Sequence, residues 1–303
     1  MGACLLRIFS ISPNYSDRWN FSHELFRKAL YEGHDVTHCG PGHSISLSPN
    51  IAYVIRDHNP DLVFVHHSKH IKQFNLSAVE TPKVLFQIDY FPEREPWRTV
   101  YIDTQKFMMV VFPTYPQMET YQRCRYSKGS PIPYYLPFGV DTDVFRNIHL
   151  ERSFTASAIF SINNSEYPQR EQIIHLLKKI PNTFVKGIYQ AKEALSKEDY
   201  ITTLNRSRSG IAPLDKYKSA GLRIFEIPAC RAALISNHGP DFDRLGFIDG
   251  FNYIKFESYK ELTRRLQDSD LDYVAAQGES LIHNHHTNKH RALQFWSDIK
   301  KFL

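Results

Sequence analysis

Residues 212 to 237, APLDKYKSAGLRIFEIPACRAALISN, set the strictest local constraint in this sequence. The apolar segment Ser209 to Leu214 leads into a loop holding Lys216, Lys218 and Gly221. A helix carrying Arg223 and Glu226 follows, then a second apolar run from Ala232 to Ser236. The order is strand, loop, helix, strand. The loop brings lysine and arginine to a helix N-terminus, where unpaired N–H groups and the helix dipole favour an anion. Glu226, three residues after Arg223, shares its helical face, where a carboxylate can accept hydrogen bonds from sugar hydroxyls. Phosphate plus ribose describes a nucleotide. The same spacing also fits an ordinary Arg223–Glu226 ion pair on a helix surface, and from this segment alone both readings stand.

The alternation around that stretch runs the length of the chain. Strand-like apolar runs fall at 5–11, 35–39, 61–65, 83–88, 107–112 and 134–136, with helical periodicity at 21–31, 51–58 and 115–124. The pattern restarts with strands at 156–161, 184–189 and 253–256 and helices at 170–179, 197–205, 259–267, 272–285 and 288–302. Apolar β-branched runs without strict alternation suit sheets covered on both faces, as in doubly wound α/β domains. The 303 residues are too many for one such core and right for two. The expected division is 1–146, 147–285 and a last amphipathic helix within 286–303. Two such domains place a large ligand in the cleft between them, outside the carboxyl ends of the strands.

With 42% hydrophobic and 23% charged residues the chain has the composition of a soluble globular protein. Cys4, Cys39, Cys124 and Cys230 lack CxxC spacing, which argues against a zinc ribbon or a disulfide framework and for a reducing cytoplasmic compartment. No apolar run reaches the roughly 18 to 20 residues of a membrane span, and the opening MGACLLRIFSIS turns polar too soon for a secretory signal. Met1-Gly2 is followed by Leu6 where a myristoylation signal has serine. The net charge of +5 and pI of 8.9 admit anionic substrates, an acidic membrane surface or nucleic acid and select none of them.

Four elements carry a family resemblance. PFGVDTDVF at 137–145 resembles the Pro-x-Gly-Val-Asp-x-x-x-Phe element at the domain junction of many GT-B glycosyltransferases of the group 1 family. GLRIFEIPACRAALI at 221–235 resembles the Arg-x-Phe-Glu-x-x-Ala-Cys-Gly segment of its CgeB-like branch. Lys260-Glu261-Leu262 and His286 to Ala292 resemble that branch's helix start and its closing His-Thr-x-x-x-Arg-Ala. In order and spacing these cover about residues 134 to 303, whereas the N-terminal half matches in pattern only.

The resemblance implies the GT-B fold: two Rossmann-like domains with a cleft between them and a C-terminal helix crossing back to the first domain. The donor, a nucleoside-diphosphate sugar acting as co-substrate with no other cofactor, is held mainly by the C-terminal domain. By position Glu226 meets the ribose, and Arg223 with the loop from Lys216 through Lys218 to Gly221 meets the diphosphate. Arg170 matches an arginine that the branch often carries near the phosphates; its other reading is a surface helix arginine. Two departures stand out. Group 1 enzymes commonly show Glu-x7-Glu, and eight residues before Glu226 this chain has Lys218. The glycine after Ala-Cys is here Arg231, where a left-handed backbone is strained without glycine, and Pro228 should kink or end the helix.

Transfer from such a donor needs the leaving diphosphate's charge stabilised, which GT-B sites do with basic side chains and a helix N-terminus instead of a metal. Lys218, Arg223 and Arg170 are the candidates. With inversion, a general base must come from the N-terminal domain: Asp89 after the strand VLFQI, then His66 and His67 ending DLVFV, each of which also reads as a polar loop residue. Asp141-Thr142-Asp143 mimics a metal-binding DxD but reads as a turn, and the histidines at 283, 285, 286 and 290 read as a solvated helix end, so no metal is expected. Tyr90, Phe91, Trp97, Tyr101, Tyr115, Tyr121 and Tyr126 interleave with Arg94, Arg98, Arg123, Arg125 and Lys128, either as core or as an acceptor wall that stacks on sugars or bases. The expected activity is metal-independent glycosyl transfer, retaining by family analogy, from a UDP- or GDP-type sugar to a hydroxyl on a glycan or on a modified DNA base. The alternative is a catalytically degenerate GT-B module that binds nucleotide sugars or glycans without turnover.

Overall fold

A computed structural model describes residues 5–14, 21–125, 129–162, 167–268 and 270–303. Every strand pairing in it is parallel. The chain divides into two compact units. Unit 1 gathers residues 1–17, 27–137 and 292–303; unit 2 gathers 18–26 and 138–291.

Unit 1 holds a six-stranded sheet of β1 (Arg7–Ile11), β2 (Asp35–Cys39), β3 (Leu62–His66), β4 (Lys83–Phe86), β5 (Met109–Phe112) and β6 (Ile132–Tyr135). Their order across the sheet is β2-β1-β3-β4-β5-β6. The direction of winding therefore reverses between β1 and β3. β3, β4 and β5 are buried at every position, which explains runs such as LVFV and MVVF that do not alternate. The crossover helices are α1 (Phe21–Tyr31), of which residues 27–31 belong here, α2 (Ile51–His58), α3 (Trp97–Thr104) and α4 (Tyr115–Cys124). α3 lies in the aromatic stretch and begins directly after Pro96, a residue suited to a helix start. Tyr90, Tyr101 and Tyr121 are core residues packed with Phe107 and Phe112, and Phe91 is buried, so these aromatics form no exposed wall. Tyr126, Lys128 and Cys4 lie outside the described residues.

Unit 2 holds β7 (Phe154–Ser161), β8 (Thr183–Ile188), β9 (Ser207–Ile211), β10 (Ala233–Ser236) and β11 (Ile254–Lys255) in the order β11-β10-β9-β7-β8. Winding reverses between β7 and β9. Its helices are α5 (Arg170–Leu177), α6 (Lys197–Asn205), α7 (Arg223–Ala229), the single-turn α8 (Pro240–Arg244), α9 (Tyr259–Asp268) and α10 (Leu271–His285). α11 (Asn288–Ile299) is divided at Arg291, and its later part belongs to unit 1, where Trp296 Nε1 donates to Leu30 O at 2.7 Å and Phe295 packs edge-on against Phe64. No described helix is long and apolar enough to cross a membrane.

Two motifs noted in the sequence meet inside unit 2. Val140 donates to His286 O at 3.0 Å and accepts from Asn288 N at 2.8 Å. A side chain at Gly139 would sit 2.7 Å from the Thr287 carbonyl, so only glycine permits this approach. Arg291 donates from Nε to Phe138 O at 3.1 Å and from a terminal nitrogen to His286 Nδ1, while His286 Nε2–H donates to Leu245 O at 2.8 Å. Asp141 accepts from the N–H groups of Asp143 and Val144, so the Asp-Thr-Asp segment is a turn capped by its own first carboxylate.

α7 ends in a Schellman motif without glycine. Ala232 N–H reaches Ile227 O at 3.3 Å and Arg231 N–H reaches Pro228 O at 2.8 Å, with Arg231 left-handed at φ 54°. Arg231→Gly should relieve that strain and raise stability by about 0.5–1 kcal/mol in urea unfolding. The exposed Arg231–Glu279 pair at 3.1 Å offsets only a few tenths of that, as Arg231→Ala should show by giving no gain.

His286 supplies a pH dependence. Burial, and the Arg291 charge beside it, push its pKa from 6.5 down to about 4. The folded state thus holds the neutral ring, and its contribution is complete above pH 6.5 and lost as pH falls from 6.5 toward 4. The loss should approach about 3 kcal/mol, seen as a falling urea midpoint that flattens in His286→Gln.

Candidate functional site

In a doubly wound sheet the loops that can meet a ligand are those leaving the carboxyl ends of the two strands at the reversal of winding. In unit 2 these strands are β7 and β9. After β7 the chain reaches Arg170, the first residue of α5, and after β9 it runs through Lys216, Lys218 and Gly221 to Arg223, the first residue of α7. Two segments distant in sequence thereby bring two guanidinium groups to one strand-end region.

Arg170 is 6% exposed. It donates to Ser161 O at 2.9 Å, which ties it to the end of β7, and its guanidinium lies 3.2 Å from the centre of the Tyr167 ring. Burial and then the neighbouring Arg223 charge lower its pKa to about 9, which leaves it protonated at neutral pH. Among the described residues neither arginine has a carboxylate within ion-pair distance, and the buried Nε of each lacks a hydrogen-bond partner. The Arg223–Glu226 pair is therefore not formed. Two like charges side by side, with buried Nε donors unsatisfied, are an arrangement that an anion would relieve.

The loop between β9 and α7 is fixed by buried carboxylates. Asp215 Oδ1 accepts from Tyr217 N at 2.9 Å and Ser219 N at 2.8 Å, and the fully buried Asp241 accepts from Ala220 N at 3.0 Å. Lys216 and Lys218 are exposed, the former 4.8 Å from the Tyr217 ring centre. Gly221 is exposed with open space at its Cβ position. The first α7 bonds run from Ile224 to Gly221 O and from Phe225 and Glu226 to Leu222 O, so the N–H groups of Gly221, Leu222 and Arg223 precede the ladder.

Glu226 is 4% exposed and is bound by a pair of hydroxyls instead of by Arg223. Ser22 Oγ donates to one carboxylate oxygen at 2.5 Å and Tyr200 OH to the other at 2.6 Å. Phe21 stacks on Phe145 at 5.7 Å and meets Tyr200 edge-on, which seats the start of α1 in unit 2. Burial, and next the Glu226 charge, raise the Tyr200 pKa well above 10, so Tyr200 stays a proton donor. Ser22 and Tyr200 carry no sequence signal of a site; the signal lies in a buried carboxylate that must find donors somewhere.

In unit 1 the reversal falls between β1 and β3, and β3 ends in His66, with His67 directly after it. His66 is buried, with Nε2 at 2.8 Å from Tyr31 OH, which lies 2.8 Å from Ser10 Oγ. His67 is held at φ 71°, ψ 117°, a conformation costly for any residue but glycine, and its Nδ1 accepts from Lys69 N. Asp89, one strand further along after β4, is exposed at φ 53°, and its backbone carbonyl accepts from the buried Arg98. Asn59, Lys106 and Arg231 are left-handed just past helix ends, the ordinary place for such residues, and Asn182 directly before β8; His67 is left-handed directly after β3, and Asp89 and Lys218 in the loops that follow β4 and β9. Among the described residues no three His, Cys, Asp or Glu side chains converge in a metal-binding group.

Removing one donor from the buried Glu226 carboxylate should be costly. Tyr200→Phe is expected to lose roughly 1.5–3 kcal/mol in urea unfolding, the range for hydrogen bonds to charged groups. An unchanged midpoint would show that the contact is not made.

A family model described as glycosyl transferase-like matches residues 165–297. Comparison with curated proteins gives no match. Among solved structures, a sucrose-phosphate synthase from Thermosynechococcus elongatus superposes with a TM-score of 0.72 at 13% identity, covering 98% of each chain. The Anabaena protein HepE in complex with UDP-glucose gives 0.72 at 12% identity over 98% of this chain and 100% of its own. A glycosyltransferase from Rickettsia africae gives 0.67 at 12% identity, covering 98% and 99%. Residues 165–297, which contain Arg170, Arg223 and Glu226, thus carry a glycosyl transferase-like pattern on a chain whose fold is that of GT-B glycosyltransferases.

Proposed function

We propose that the chain transfers a sugar from a UDP-sugar to a hydroxyl acceptor. The observation that carries this reading is the pairing of Arg170 and Arg223, two cations without ion-pair partners among the described residues, on the loops flanking the β7/β9 reversal. A diphosphate would supply the ion-pair partner that neither arginine has among the described residues. Arg170, Lys216, Gly221 and Arg223 hold the diphosphate, and Glu226 takes the ribose hydroxyls in the manner in which it now takes those of Ser22 and Tyr200. The match to the glycosyl transferase-like model and the UDP-glucose in the HepE structure support that donor class.

Chemically, the bond between the sugar's anomeric carbon and the β-phosphate oxygen breaks, a bond forms from that carbon to the acceptor hydroxyl oxygen as its proton is released, and charge develops on the departing diphosphate. Fixed guanidinium groups stabilise it most where water is scarce, and the burial of Arg170 provides that setting. The reaction so described is metal-independent, and we extend it to retention of configuration on the strength of the family resemblance. His66, His67 and Asp89 are the acceptor-side candidates. A glycan hydroxyl is the favoured acceptor, because Tyr90, Tyr101 and Tyr121 are committed to the core and leave fewer rings to stack on DNA bases.

Calorimetric titration should show UDP and UDP-glucose binding, weakened at least tenfold by Arg223→Ala, Arg170→Ala or Glu226→Ala. UDP release from UDP-glucose should persist in EDTA. Absence of nucleotide binding overturns the reading, whereas binding without turnover on any donor makes the chain a binding module.

A further inference from the structure

Lys218 is the least expected residue of the loop. It is left-handed at φ 63°, where glycine or asparagine would sit at lower cost. Contacts on every side hold it there. Lys218 N donates to Asp215 O at 3.0 Å, Asp215 and Asp241 clamp the residues on either side, and Gly239 packs so closely that a Cβ there would lie 2.4 Å from Lys218 O and 3.1 Å from Lys218 Cβ. Strain of this kind persists where the side chain it presents is needed. What is presented is an exposed ammonium that makes no hydrogen bond or ion pair among the described residues.

Its place along the sheet separates it from the two arginines. Arg170 is tied to the end of β7, whereas Lys218 rests on Gly239, beyond the end of β10, and its charge is felt by Glu257 beyond β11. The anchors are two strand spacings apart, roughly 10 Å of sheet edge, more than one diphosphate spans. Glu257 does not neutralise Lys218, because it is bound to Lys255 at 2.6 Å. The array therefore offers positive charge for a diphosphate at one end and for a separate anion at the other.

We infer that Lys218 binds a carboxylate on the transferred sugar, making the donor the UDP derivative of a uronic acid or another acidic sugar. This rests on the UDP-sugar reading above and adds the charge of the sugar to it. Titration of the full chain with UDP, UDP-glucose and UDP-glucuronate separates the two. Wild type should bind UDP-glucuronate about tenfold more tightly than UDP-glucose. Lys218→Asn should erase that preference, leave UDP affinity within twofold and keep a thermal midpoint at or above wild type, and Lys218→Arg should retain the preference. A wild type that binds both sugars equally, or a Lys218→Asn variant that loses affinity for UDP itself, overturns the acidic-sugar inference and leaves the UDP-sugar reading in place. Failure of all three ligands to bind wild type overturns both.

Discussion

Parallel strands cannot be joined by tight hairpins. Each must be followed by a crossover, and in this chain the crossovers cover both faces of two sheets whose pairings are all parallel. Polar chemistry is thereby excluded from the sheet faces and collected at the strand ends. The reversals of winding, between β1 and β3 in unit 1 and between β7 and β9 in unit 2, determine which strand ends leave room for a ligand. His66 and His67 occupy one of these positions and Arg170 and Arg223 the other; Asp89, behind β4, stands one strand away. Topology thus ranks the histidines above Asp89, the opposite of the order suggested by sequence position alone.

Much of the fold was legible because it is written in local periodicity. α1, α2, α4 and α6 begin and end where the apolar spacing begins and ends. α3 was not, since a stretch dense in aromatic and arginine residues gives the same composition for a binding wall and for an amphipathic helix, and only Pro96 marks its start. The site was legible in its cations and illegible in its hydroxyls. Lys216, Lys218, Arg223 and Glu226 fall within eleven residues of sequence, so a loop reading finds them. Ser22 reaches Glu226 across 204 positions, and nothing local distinguishes it from any other serine. The Arg223–Glu226 spacing allowed an ion pair that tertiary structure overrides: α7 turns Glu226 inward to Ser22 and Tyr200, and Arg223 is left beside Arg170.

The departures from the family pattern have different physical roots. Arg231 occupies the left-handed position of a Schellman motif and partners Glu279 at the surface, so its cost is backbone strain at a helix end. Lys218 is strained by the same kind of backbone angle but within a loop clamped by Asp215, Asp241 and Gly239. A helix end tolerates glycine or arginine with little effect on what lies around it. A clamped loop transmits the identity of its side chain directly to whatever binds there, which is why one departure bears on stability and the other on ligand choice.

The paired arginines also link stability to occupancy. Burying Arg170 beside Arg223 with no carboxylate at ion-pair distance among the described residues costs free energy in the empty protein; the lowered pKa of Arg170, only partly opposed by the Asp215 charge, is the sign of that cost. Replacing either guanidinium removes the repulsion, so such variants lose ligand affinity without a matching loss of stability. An anion that bridges the two removes the same repulsion and satisfies their idle Nε donors, adding to its own binding what the empty site had lost. A purely structural arginine pair behaves in the opposite way: it would be neutralised by carboxylates already in place and would gain nothing from a ligand. The buried carboxylates of this region make no ion pair with either arginine: Asp215 and Asp241 accept from loop N–H groups and Glu226 from hydroxyls, and the Asp215 charge offsets the burial of Arg170 only in part.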